Sequence, residues 1–218
     1  PEPRTSSGQA GEGAPPVLGQ DVVAFSMGKT VTLDSKSAIF PIESLDKLPP
    51  GLYTVQALFH FNPDINVPNA PGDLHSLPVD VHLNPRRAEV VKLKLTRTLP
   101  PERMPIPTDY CRFVKIKSEK LTKFYGRPLY LRAGVIIPRD FETETARKYP
   151  LWVEIGGFGS RYTTILQSMR PGSSFRNTWL SDDAPRMVQL MLDGAGPLGD
   201  PYQVNSANHG PFGDAITQ

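Results

Sequence analysis

Cysteine is almost missing from this sequence. Cys111 stands alone among 218 residues, which excludes a disulfide framework and any zinc site built on cysteine pairs. An excess of one charge is missing too. Lys and Arg number 24 against 22 Asp and Glu, so a formal net charge of +2 leaves no electrostatic footprint for nucleic acid or an anionic membrane. No run approaches about 18 consecutive apolar residues, so no membrane span is expected. Long helices are disfavoured, because Pro 24 and Gly 18 load the chain with breakers. No internal repeat is visible. What remains is a chain of short strands and loops, long enough for one large domain or two small ones.

The chain opens on Pro1 rather than Met, and Gly210 to Gln218 read as a turn followed by the first turn of a helix. A helix that short has met its nucleation cost without the length to recover it. The sequence is therefore read as a fragment that continues downstream.

Composition divides it. Residues 1–20, rich in Gly, Pro, Ser and Ala, are expected to form a flexible segment. Residues 21–98 read as a β-sandwich module with short strands at Val22–Phe25, Lys29–Leu33, Leu52–Phe59, Leu77–Leu83 and Ala88–Thr96, interrupted by a proline-rich loop from Asn62 to Asp73. Residues 99–108 hold Pro100, Pro101, Pro105 and Pro107 and read as a stiff linker. Residues 109–218 read as the opening of an α/β domain. It has strands at Arg112–Leu121, Pro128–Pro138 and Pro150–Ile155, and a short helix at Tyr162–Met169. A continuous apolar strand at Arg186–Asp193 suits a parallel sheet.

Several motifs tempt and fall short. Gly28-Lys29-Thr30 resembles the end of a phosphate loop, but Val23 stands where that loop needs glycine. Gly194-Ala195-Gly196-Pro197-Leu198-Gly199 matches a dinucleotide fingerprint in letters, yet Pro197 and Asp200-Pro201 keep the chain in a loop. His60, His75, His82 and His209 show no metal-ligand spacing, and Asp193, Asp200 and Asn205 match no calcium loop, so neither cofactor nor metal is expected. Arg112, Lys115, Lys117, Lys120 and Lys123 read as a solvated face rather than a nucleic-acid groove. Cys111 reads as a buried structural thiol. The sharper signal is Trp152-Val153-Glu154-Ile155-Gly156-Gly157-Phe158-Gly159, a strand running straight into glycines. Such a loop either aims main-chain N–H groups at a developing negative charge or is a plain tight turn into the Tyr162 helix.

Tyr125-Gly126-Arg127-Pro128, then Leu131 to Phe141, then Tyr149 to Gly159, in that order and spacing, resemble the start of an esterase of the esterase D and enterochelin-esterase-like group. Asn205 to Ala215 resembles the segment ahead of that family's nucleophile strand. The resemblance runs from near Arg112 to Gln218. It implies an α/β-hydrolase fold, with a mostly parallel sheet in three α/β/α layers, behind an all-β sandwich like the extra N-terminal domain of some secreted members. It implies carboxylic-ester hydrolysis of a small-molecule or glycan-linked ester, a secreted or periplasmic location, and a signal peptide that this sequence does not carry. Phe158 takes the position whose backbone N–H is an oxyanion donor, with Gly157 and Gly159 shaping the loop and Gly156 standing where many members have His. Asn205, Ser206 and Asn208 fall at the pocket mouth or, alternatively, cap the coming helix. The Gly-x-Ser-x-Gly nucleophile elbow is absent, so the nucleophile, acid and His are expected beyond residue 218 and the chain itself is expected to be inactive. The alternative is a non-catalytic relative whose β-module binds glycan or a protein partner through aromatics such as Tyr53 and Phe61.

Overall fold

The structure is a computed structural model that describes residues 2–6, 11, 13–87 and 89–217. Ala88, the expected start of a strand, and Gln218 lie outside the described residues, as do residues 1, 7–10 and 12 of the opening segment. The chain forms two compact units, residues 1–61 with 68–101, and residues 62–67 with 102–218.

Among its described residues the first unit has seven short strands: β1 (Val17–Gly19), β2 (Ala38–Phe40), β3 (Gly51–Val55), β4 (Leu58–Phe59), β5 (Leu74–His75), β6 (Val79–Leu83) and β7 (Arg97–Thr98). They pair antiparallel in three separate ladders, β1 with β2, β3 with β6, and β4–β5–β7. Within the opening segment, β1 takes part in a ladder and Arg4 donates to Asn69 Oδ1 at 2.9 Å. Phe25 packs on Phe59 with centroids 4.5 Å apart. Asp73 is fully buried and stays satisfied, with His60 Nδ1 2.9 Å from Oδ2 and the Phe61 N–H donating to Oδ1 at 3.2 Å. An unpaired buried carboxylate would cost several kcal/mol, roughly, so this cluster fixes the loop ends around β5.

The second unit carries β8 (Cys111–Lys117), α1 (Glu119–Tyr125), β9 (Tyr130–Ile136), β10 (Leu151–Glu154), α2 (Ile165–Ser168), α3 (Ser174–Trp179), β11 (Val188–Leu192), β12 (Asn205–Ser206), β13 (Gly210–Pro211) and α4 (Phe212–Ile216). Four strands make one sheet in the order β10-β11-β9-β8. A one-turn 3-10 helix at Tyr162–Thr164 lies against Gly134 of β9, where an added Cβ would overlap Tyr162 O and stand 2.7 Å from Ile165 Cδ1. That close approach lets Ile165, Met169 and Trp179 pack with Cys111, Ile136 and Met191 in the main core, while the buried Tyr162 meets the Phe113 ring edge-on with centroids 6.1 Å apart. The buried Trp179 indole is satisfied, donating to Ile137 O at 3.0 Å. A smaller cluster joins Leu121, Leu129, Phe212 and Ala215.

These observations overturn the expected fold class. Helix is 15% and strand 24% of the chain, and the ladders are small and mostly antiparallel rather than a mostly parallel sheet in three layers. In the four-stranded sheet only β10 and β11 run parallel, because β9 pairs antiparallel with both β8 and β11. The apolar run at Arg186–Asp193 is uniform because β11 is a central strand with a neighbour on each side. A central position needs no all-parallel sheet, which is where the periodicity misleads. The all-β sandwich fails for a different reason. Val23 and Ala24 form a bend, and neither Lys29–Leu33 nor Glu89–Thr96 enters a ladder among the described residues, so the strands that do form stay in three separate small ladders. Alternation of Val91, Leu93 and Leu95 with Lys92 and Lys94 describes an extended chain equally well without a partner strand, and Val90 stands 80% exposed.

Helix α1 was expected to be strand and turn. Ser118 Oγ accepts the Leu121 N–H at 3.3 Å at one end, and Gly126 takes a left-handed φ of 66° at the other. Both are ordinary cap residues, and they frame the seven residues between them.

Candidate oxyanion turn and its clasp

β10 ends in Ile155 and Gly156, and the chain then folds into a four-residue turn closed by Ser160 N donating to Gly157 O at 2.9 Å. Gly159, third in the turn, has a φ of 72°, the left-handed conformation that a type II turn requires at that place and that glycine alone takes at no cost. Gly156 is equally constrained by space. An added Cβ would overlap Ser160 Cβ and Oγ and stand 3.0 Å from Met191 Cε, so the His carried there by the resembled family has no room in this arrangement.

The turn leaves two N–H groups open. Gly159 N donates to Asp200 Oδ2 at 2.9 Å, while the N–H groups of Gly157 and Phe158 have no hydrogen-bond partner among the described residues. The Phe158 side chain is 80% exposed, with its ring 6.4 Å from that of Tyr202. Open main-chain donors at a strand's end can meet a developing negative charge without reorganising.

Facing the turn is the loop after β11. Gly194 N donates to Ser160 O at 2.8 Å, and Gly196 and Gly199 exchange hydrogen bonds of 2.9 and 3.2 Å. The Gly194 to Gly199 run thus folds back on itself and opens no helix, as its prolines foretold. Asp200 Oδ1 accepts the Tyr202 N–H at 2.8 Å, a short Asx turn ahead of the consecutive left-handed residues Tyr202 and Gln203.

Three ion pairs lock the base of the turn. Arg161 Nε lies 2.6 Å from Asp193 Oδ1 and its Nη2 lies 2.5 Å from Glu102 Oε1, while Arg132 Nε lies 3.1 Å from Glu102 Oε2. Two bases and two acids balance in a largely buried setting, where the Asp193 side chain is only 4% exposed. Burial pushes the Asp193 carboxyl above the ordinary aspartate range against the pull of Arg161. Burial also works against the Arg161 charge, but the bond to Asp193 outweighs it and the guanidinium is held more basic than usual. The Tyr162 phenol is raised by burial and then by the nearby acids.

The expected site residues fall in two places. Gly157, Phe158 and Gly159 make up the turn. Asn205, Ser206 and Asn208 lie on the β12–β13 hairpin, and no hydrogen bond or ring contact joins them to the turn among the described residues. Asn205 Oδ1 accepts the Asp214 N–H at 3.0 Å and its Nδ2 donates to Asp214 Oδ1 at 2.9 Å, while Ser206 Oγ accepts the His209 N–H at 2.9 Å. The two Asn205 bonds tie the hairpin to α4, and the Ser206 bond closes the hairpin's own turn. From sequence, Asp200 stands out only as a calcium candidate that matches no loop pattern, and Arg161 and Glu102 do not stand out at all. Only Asp200 left a local sign, as an aspartate before proline at a loop end.

Elsewhere the candidates resolve plainly. Cys111 is fully buried and burial raises its thiol pKa. Arg112 pairs with Glu142, Lys117 with Glu119 and Lys120 with Asp214, and Lys115 sits over the Tyr130 ring. Among the described residues no group of three His, Cys, Asp or Glu is placed to hold a metal, and no helix is long and apolar enough to cross a membrane. No protein-family model matches the chain, and no curated protein matches it.

Proposed function

We propose that this chain is the front part of a serine esterase-like hydrolase acting on carboxylic esters, with the Phe158 N–H as an oxyanion donor. The observation that carries the reading is the Gly157–Ser160 turn, whose Phe158 and Gly157 N–H groups are open while Gly159 is held from behind. A tetrahedral oxyanion placed about 2.7–3.1 Å from such a donor gains roughly 3 kcal/mol of transition-state stabilisation. Ser160 sits nearby, but no histidine is in reach to take its proton among the hydrogen bonds of the described residues. The nucleophile, its base and the acid are accordingly supplied from beyond Gln218. The free edge of β10 supports that arrangement, since Leu151, Trp152 and Val153 are 60%, 43% and 43% exposed. A strand added there would end beside the turn. The substrate is a small-molecule or glycan-linked ester, met in a secreted or periplasmic setting.

The test compares the 218-residue chain with the polypeptide read from its gene past Gln218, on a short activated aryl ester. The longer chain is expected to turn over and to be blocked by a serine-directed fluorophosphonate, and the shorter one to be inert. Hydrolysis by the shorter chain, insensitive to that inhibitor, sinks the proposal.

A second reading has its own observation. Phe25, Phe59 and Phe61 form a ring series, with centroids 4.5 and 5.7 Å apart, that ends on the half-exposed Phe61. A non-catalytic protein binding glycan through this face would lose binding on Phe61→Ala.

A further inference from the structure

We propose that Asp200 is a positioning residue that sets the oxyanion turn from the opposite loop and decides which of its N–H groups remains open. The catalytic meaning of that role rests on the ester-hydrolase reading; the clasp itself rests on geometry. Three observations converge on the Asp200 carboxylate. Its Oδ2 takes the Gly159 N–H at 2.9 Å, its Oδ1 takes the Tyr202 N–H at 2.8 Å, and the space it occupies exists because Gly194 has no side chain. An added Cβ at Gly194 would stand 2.8 Å from Asp200 Oδ2 and 2.7 Å from Ser160 O. Gly194 N in turn holds Ser160 O at 2.8 Å, so the turn is gripped at two successive residues.

The physical consequence is selective. In a turn of this kind the second and third residues present their N–H groups outward in different directions. With Gly159 engaged from the β11 side, the donors left to an incoming oxyanion are those of Phe158 and Gly157. Without the carboxylate, the turn is free to rock about its two ends and no single donor direction is favoured. An amide in place of Asp200 offers one acceptor where two are used, so asparagine is expected to hold one N–H and release the other.

The test is amide hydrogen exchange, read residue by residue on the 15N-labelled 218-residue chain. In the wild type, Gly159 and Tyr202 are expected to exchange about tenfold or more slowly than Phe158, the protection given by one charge-assisted bond each. Asp200→Ala is expected to remove that protection from both, and Asp200→Asn from one of the two. Gly194→Ala, which keeps the Asp200 carboxylate but crowds it out of its place, is expected to expose Gly159 as well. Protection in β9 at Val135 should not move in any variant, which separates release of the clasp from unfolding. Gly159 exchanging as fast as Phe158 in the wild type, or unmoved by Asp200→Ala, overturns the proposal. In the longer, active polypeptide Asp200→Ala should lower kcat about tenfold and leave KM within about twofold. An unchanged kcat there overturns the positioning role. A wild type that hydrolyses nothing overturns the ester reading, while the exchange result stands or falls by itself.

Discussion

Arg161 shows how much one side chain holds at this site. Its guanidinium is the partner of a nearly buried Asp193 and also meets Glu102. Arg161→Ala should destabilise the second unit by about 3 kcal/mol, read as a fall in the urea midpoint, because a carboxylate is left in the interior unpaired. Cys111 gives a prediction in pH. Burial raises its folded-state pKa above the unfolded value, so between the two the folded chain keeps a proton the unfolded chain has lost. Stability is then at its full value below about pH 8.5 and falls as pH rises through the folded value. Urea titrations at neutral and alkaline pH should show that decline, and Cys111→Ala should make it shallower. At this scale the sequence was partly legible. Glycines after an apolar strand offered the turn as one of two readings, and a lone cysteine at the start of a strand, with no basic microenvironment in the sequence, pointed to burial. The Asp200 clasp and the Arg161 network were not, since both join residues separated by 30 to 60 positions and leave no local spacing to read.

Elements were legible where their ends carried chemistry and misread where only periodicity was available. β9, β10 and β11 fell close to the expected runs, because β-branched and aromatic residues bounded by Gly and Pro describe a half-buried strand. The expected strand through Leu121 overran a helix already announced by Ser118 and Gly126. α3 has the same logic, with Ser173 Oγ accepting the Arg176 N–H at 3.1 Å. Ser173→Ala should cost about 1 kcal/mol in thermal or urea unfolding, and Ser173→Asp much less. The edge strand β10 makes another expectation. Its exposed Leu151, Trp152 and Val153 offer a pairing template, so the 218-residue chain should associate with rising concentration. Val153→Lys should suppress that association in sedimentation velocity while leaving the far-UV spectrum unchanged.

For the whole molecule, the first unit ends at Pro101. What composition did not disclose is that residues 62–67, sequence-wise inside the first unit, belong to the second. There Arg127 bonds to Asp64 and Asn66 N donates to Gly196 O at 2.8 Å. A polypeptide of residues 102–218 alone should therefore unfold at lower urea than the same unit in the full chain. Equal midpoints would show that the 62–67 segment contributes nothing.

The placement of the two tryptophans decides what can be seen of all this. Trp152 and Trp179 lie in the second unit with their rings 6.4 Å apart, and the sequence has only these two. Excited by light, the pair is a single lamp: its emission follows the sheet and helix α3 that carry it.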